Sequence, residues 1–243
     1  MRVLLVLSLL IPLVSLLAAS CDGQGSSDDA LEFLRETEET GYEGQEVSEE
    51  RIRELEADIE EYEEDVEEVV RKLGEVTVFR KMLAEEFIDR EMYGPALDHL
   101  QVAMELQPAN AVLYYLAGVS AAQTAQAKIQ DQPEQEEFLR LAEDYYLRAL
   151  ELRPRYRECL YAVSVLYVFE LEQPAQAEEY LVRLLEIDPE NSRARFLRAR
   201  MLVQTGRLED AAELYGDIAE DAPSRELRDR ALENRNQLLE RRN

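Results

Sequence analysis

The chain has no tryptophan, a single histidine (His99) and two cysteines (Cys21 and Cys159) in 243 residues. Nucleophilic catalysis needs a base beside its nucleophile, and one imidazole on a helical stretch leaves no such pair to build. Two cysteines cannot form a disulfide framework, and with one histidine they cannot form a zinc cluster. Glycine and proline are scarce, at 9 and 8. No glycine-rich phosphate loop or dinucleotide fingerprint occurs. The β-branched runs with regular turns that mark a sheet protein are also missing. The acidic runs at 36–39 and 60–65 lack the spacing of a calcium loop. These absences point to a protein that is not an enzyme and uses no metal or cofactor. Positive charge is the last shortage: 27 Lys/Arg face 53 Asp/Glu, a net of −26. A field of that sign repels phosphate backbones, which argues against a nucleic-acid partner.

What is present is 46 % hydrophobic and rich in Ala, Glu, Leu and Arg, a helical composition. The first 20 residues stand apart. Arg2 precedes an apolar run at 3–17, broken only by Ser8, Pro12 and Ser15, and then Ala18, Ala19 and Ser20 lead to Cys21. The run is shorter than the roughly 20 residues a spanning helix needs and has the layout of a secretory signal. The stretch Leu17-Ala18-Ala19-Ser20-Cys21 resembles a lipobox, with Ala18 where leucine is usual. That resemblance implies removal of residues 1–20 and lipidation of Cys21. The body would then be anchored to a membrane of a bacterial envelope, facing the periplasm or the cell surface. A plain secretory peptide is the competing reading. Residues 21–47 are polar, acidic and Gly/Ser-rich at their start, as a tether would be.

Residues 48–76 are expected to form an acidic amphipathic helix. Ser48 suits an N-cap, and Ile52, Leu55, Ile59, Tyr62, Val66, Val69 and Leu73 follow at alternating spacings of 3 and 4. Gly74 is expected to end it. In a parallel pair Asp58 would face Glu63 of the mate, so the favoured partner of this stripe is the remainder of its own chain. A homo-oligomer through this helix is the alternative.

Beyond residue 76 the chain repeats itself. Pro108, Pro154, Pro189 and Pro223 each follow a helix–turn–helix pattern, 46, 35 and 34 residues apart. A period near 34 resembles the tetratricopeptide repeat (TPR), whose unit carries Leu, small, aromatic, Ala, large, Ala and Pro in order. Residues 77–110 supply Leu83, Ala84, Phe87, Ala96, Leu100, Ala103 and Pro108. Residues 111–156 supply Ala117, Gly118, Ala121, Ala142, Tyr146, Ala149 and Pro154, with an insertion around 125–138 that is either a loop or a helix extension. Residues 157–191 supply Val163, Ser164, Tyr167, Ala177, Leu181, Leu184 and Pro189, with one extra residue expected in the turn. Residues 192–225 supply Ala199, Leu202, Ala211, Tyr215, Ile218 and Pro223, with Arg198 where leucine is usual. Residues 224–243 read as a capping helix that starts at Ser224. The expected fold is therefore all-α: a right-handed superhelical stack of about four TPR hairpins at 77–223, between an N-terminal acidic helix and a C-terminal cap.

In that family the first helix of each hairpin lines a concave groove. The resemblance places Val112, Tyr115, Val119, Tyr161, Val165, Val168, Phe169, Arg193, Phe196 and Arg200 there. Members that bind chaperone tails hold a terminal carboxylate with a Lys/Asn/Arg clamp. Here only Lys81 matches, while Glu85, Leu116, Glu158 and Ala162 stand elsewhere in it. The groove suits another envelope protein or an amphipathic peptide. The functional expectation is a tethered extracytoplasmic scaffold serving assembly or transport. A carrier of a small hydrophobic or lipid-like ligand, and a structural oligomer, are the alternatives.

Overall fold

A computed structural model describes residues 48–242, so the expectations for the leader, for Cys21 and for the tether lie outside the described residues. Every regular element among the described residues is helical. In chain order they are α1 (Glu49–Asp89), α2 (Tyr93–Leu106), α3 (Ala111–Ala127), α4 (Gln132–Leu152), α5 (Arg157–Val165), α6 (Ala177–Ile187), α7 (Ser192–Gln204), α8 (Leu208–Asp221) and α9 (Arg225–Arg242). A π turn (Leu166–Glu170) prolongs α5, and a 3-10 turn (Pro174–Gln176) leads into α6.

The chain divides into two compact units, Met1–Glu64 and Asp65–Asn243. The described part of the first is the start of α1. There the Ser48 hydroxyl accepts a hydrogen bond from the Arg51 amide at 3.2 Å, the cap its sequence promises. Ile52, Ile59 and Tyr62 of the acidic stripe are exposed in it.

In the second unit the helices from α2 to α9 pack as consecutive antiparallel neighbours in hairpins. Small residues at the crossings set how near they come. Ala84, Ala96, Ala117, Ala142, Ala177, Ala199 and Ala211 are all fully buried. Gly118 is the closest approach of all: a Cβ there would lie 2.6 Å from ring atoms of Tyr146 on α4. Large residues fill the spaces between hairpins, among them Leu100, Leu113, Leu160, Leu181 and Ile218, each at most 2 % exposed. The core forms one small cluster around Ala84, Leu97 and Leu100 and one larger cluster from α3 to α9. Phe138, Leu141, Tyr114 and Tyr145 pack against both.

The junctions carry a second signal beside proline. Two residues after Pro108 and Pro189 stand Asn110 and Asn191. Their side chains accept from the amides of Val112 (3.1 Å) and Ala194 (3.0 Å), capping α3 and α7. Each Asn also donates back across the junction, to Gln107 and Asp188. Proline stops one hairpin and asparagine starts the next.

Two expectations change, and one open alternative is resolved. Gly74 does not end the first helix: α1 continues to Asp89 and becomes the first helix of the first hairpin. A lone glycine inside a helix costs about 1 kcal/mol, less than breaking a run of strong helix formers on both sides of it. The insertion at 125–138 is a helix extension. It lengthens α3 and α4 to 17 and 21 residues around a tight turn capped by Asp131, with Pro133 in the first turn of α4. The extra residue of the third hairpin sits inside its first helix as the π turn, closed by the Leu171 amide on the Leu166 carbonyl at 2.9 Å, and not in the turn between helices.

The stripe of α1 is also not covered as expected. In the second unit Val66, Val69, Val70, Leu73 and Val76 are exposed, as are Phe79 and Met82 further on. Ion pairs one turn apart, Lys72–Glu68 at 2.6 Å and Arg71–Glu75 at 2.9 Å, bridge successive turns of this exposed stretch.

Candidate functional site

Two of the clefts in the second unit adjoin, because Tyr161 and Arg193 line both. The first, about 390 Å³, is walled by Tyr115 of α3, by Arg157, Glu158 and Tyr161 of α5, and by Asp188 and Asn191 at the start of α7. The second, about 440 Å³, continues past Tyr161 to Phe169, Phe196, Arg200 and Tyr215, and reaches Leu227, Arg230 and Asn234 of α9. First helices of three successive hairpins thus present one side to a shared, elongated cleft, as the repeat register demands.

The rings contact one another in two groups. Tyr115 lies 5.1 Å from Tyr156 and 6.3 Å from Tyr146, and Phe196 lies 6.0 Å from Tyr215. Burial raises the Tyr115 and Tyr215 hydroxyls above the ordinary tyrosine value; at Tyr215 the charges of Arg200 and Arg230 oppose that rise. Three arginines lie over the outer rings: Arg193 at 4.9 Å from the centre of Tyr161, Arg200 at 5.7 Å from Phe169, and Arg230 at 5.0 Å from Phe196. Stacking of this kind occupies the flat face of the guanidinium and leaves its N–H edge free to donate.

Of the residues that the sequence places in the groove, Tyr115, Tyr161, Phe169, Arg193, Phe196 and Arg200 come together in the joined clefts. Val119 and Val165 are half-buried and pack against the core. Val112 lines a separate cleft with Gln107, Pro108 and Leu152. Val168 is only 1 % exposed and belongs to the core. The π turn is the reason: one extra residue turns the next stretch of chain by about 100° around the helix axis, so Val168 points inward while Phe169, at 49 % exposure, points out. The residues that sequence reasoning missed are Tyr215, Leu227, Arg230 and Asn234. The last three share one face of α9 at spacings of 3 and 4, a signal that reading this helix only as a cap passes over.

The remaining singled-out groups have structural roles. Lys81 is held by Glu85 at 2.8 Å, which removes the one clamp-like lysine from service. His99 stacks on Phe87 with centroids 5.6 Å apart and meets Arg80 at 3.3 Å. The buried Cys159 thiol donates to the Tyr146 carbonyl at 3.4 Å, and burial pushes its pKa up to about 12. A thiol so placed is packed and unreactive. Among the described residues no group of His, Cys, Asp and Glu stands in metal-holding geometry, and no helix is long and apolar enough to cross a membrane.

Comparison with known proteins agrees with this architecture. Residues 168–233 match the family model of the tetratricopeptide repeat. A TPR repeat-containing protein of Borreliella burgdorferi is 26 % identical over 158 residues, covering 65 % of this chain and 68 % of that one. Two solved structures share the fold. YrrB, described as a TPR protein with an unusual peptide-binding site, has 23 % identity and a TM-score of 0.53, covering 67 % of this chain and 76 % of its own. MamA from Desulfovibrio magneticus RS-1 has 15 % identity and a TM-score of 0.55, covering 69 % and 96 %. The fold is a tetratricopeptide-type helical-hairpin stack, and the family model and structural neighbours support TPR repeats in this chain.

Proposed function

We propose that the protein is a membrane-tethered extracytoplasmic scaffold that docks a segment of another envelope protein in the joined clefts, as an accessory to assembly or transport. The observation that carries this reading is the shared wall at Tyr161 and Arg193, which makes one elongated trough with aromatic anchors from three hairpins. Aromatic residues in such a surface are the usual carriers of binding energy. An elongated trough suits a chain segment better than a compact molecule. Its charged walls, Arg157, Glu158, Asp188 and Arg193, suit a peptide better than a lipid tail. YrrB, of the same fold, is described as having a peptide-binding site. The envelope location rests on the lipobox-like stretch ending at Cys21.

The test is capture of partners from solubilised membranes by the wild-type chain and by Tyr161→Ala with Phe169→Ala. These side chains are half-buried and exposed, so the double variant should keep its melting temperature within a few degrees while losing most of the captured partner. Equal capture by both would remove the trough as the site.

A further inference from the structure

We infer that the part of the trough between α7 and α9 is a receptor for an acidic peptide, with carboxylates at two points along an extended chain seated against Arg193, Arg200 and Arg230. The inference rests on the trough as the docking site and names the ligand class.

Acidic residues outnumber basic ones 53 to 27 in this chain, so an arginine has carboxylates to choose from. Several neighbouring arginines take them: Arg157 holds Asp188, Arg195 holds Asp221, Arg207 holds Glu178 and Asp210, and Arg225 holds Asp229. Arg193, Arg200 and Arg230 hold none among the described residues. Each instead lies over a ring of Tyr161, Phe169 or Phe196. The cleft that they share has no Asp or Glu in its wall. Three like charges line one cleft whose own wall supplies no carboxylate, and a ligand that brings carboxylates meets that charge. Their guanidinium edges are free to grip a carboxylate in bidentate fashion because only their faces are occupied.

Geometry narrows the ligand. Arg193 and Arg200 lie seven residues apart on α7, two turns, or about 10.5 Å along the axis. An extended chain of polyproline-II form has three residues per turn and advances about 9 Å over them, so acidic side chains three apart fall on one side and match the pair. Arg230 approaches from α9, across the cleft. Phe196, Leu227 and the wall at Tyr215 supply apolar surface for a side chain between the two acids. A terminal carboxylate is not required.

The experiment uses the full-length chain and a set of fluorescent decapeptides, amidated at the C-terminus. Each holds two Glu residues two, three or four apart with Leu or Tyr between them, and each has a Gln-for-Glu counterpart. Anisotropy titrations at low and high salt measure affinity for wild type, R193E, R200E, R230E, R200K and Tyr161→Ala/Phe169→Ala. All three arginines are exposed, and circular dichroism checks that each variant keeps its helices. The expected result is tightest binding at a spacing of three, with losses of about ten-fold or more for the Gln peptides and for each charge reversal. High salt should weaken binding, and R200K should retain part of the affinity. If the Gln peptides bind wild type as well as the Glu peptides and are lost only in the aromatic double variant, the trough binds peptides but the acidic class is wrong. If no peptide binds, or if the Glu peptides bind the charge-reversed variants equally, the inference fails, and capture of membrane partners then judges the trough reading on its own.

Discussion

At Gly118 the hairpin of α3 and α4 closes so tightly that a methyl group would meet the Tyr146 ring at 2.6 Å. Tyr146 is 3 % exposed and packed on all sides, so the ring cannot swing away. Gly118→Ala should therefore destabilise the protein by about 1–3 kcal/mol through overpacking, even though alanine is the better helix former. Thermal or urea unfolding measures it, and an unchanged or raised midpoint would mean the helices can part at no cost. Cys159 and Tyr156 make a second residue-scale case. Burial raises both folded pKa values to about 12, from ordinary values of 9.0 and 10.0. For a raised pKa, stability is fully present below the unfolded value and is lost as pH climbs toward the folded one. The window thus runs to about pH 12 from pH 9 for the thiol and from pH 10 for the phenol, with a loss of about 1.4 kcal/mol per pH unit for each group inside its own window. Denaturation midpoints should be flat up to pH 9 and fall above it, and Cys159→Ala should remove the earliest part of the fall. Parallel curves for the two proteins would show that the thiol is not the group responsible.

Helices differ in how much of their stability comes from tertiary packing. From α2 onward each helix buries a face against the next. The stretch of α1 before Thr77 buries almost none: Val66, Val69 and Val70 are 61 %, 49 % and 61 % exposed. Exposed apolar side chains contribute little to folding, and substitutions there stay within about 0.5 kcal/mol. Val69→Glu with Leu73→Glu should leave the melting temperature unchanged, in contrast to any change at Ala84 on the same helix, which is fully buried. A clear drop in melting temperature would mean that this stripe is packed in solution. The π turn after α5 is the other element that decides something. The wider turn places Val168, within it, in the core and delivers Phe169 to the trough beneath Arg200. Deleting one residue from that turn should restore the regular 34-residue spacing, and its cost would fall on the trough before it fell on the hairpin.

The chain as a whole is strongly anionic, and its second unit holds a cationic recess at Arg193, Arg200 and Arg230. Residues 21–76 hold 22 acidic and 5 basic residues, against 31 and 21 in residues 77–243. Such a chain repels anionic surfaces, so contact with a membrane falls to the N-terminal anchor proposed at Cys21. Cys21→Ala should leave the protein unprocessed or soluble and move it out of the detergent phase on partitioning. Detergent partitioning equal to wild type would sink the lipid anchor and leave a plain secretory leader as the reading.

Much of this protein was legible in its residues. Helical repeats follow from the spacing of the prolines, and the hairpin register and the small residues at crossings from the resemblance to the tetratricopeptide pattern, because a hairpin that must stack obliges the same residue size at the same position each time. The Ser48 and Ser224 caps were readable for a local reason: the side chain bonds an amide three residues on, at 3.2 and 3.3 Å. Tyr115, Tyr161, Phe196, Arg193 and Arg200 could be assigned to one face by register. Tertiary structure decided the rest. It carried α1 through Gly74, since neighbouring helix formers outweigh one glycine. It took the extra residue of the third hairpin into a π turn, since the ends of that hairpin are held by Pro154 and Asp188 contacts on both sides, with Arg183 donating to the Pro154 carbonyl at 2.8 Å and Arg157 facing Asp188 at 3.9 Å. And it brought Arg230, 30 residues beyond Arg200 in the chain, to the same recess. A contact between helices that far apart depends on how each hairpin seats on the last, which no local pattern records.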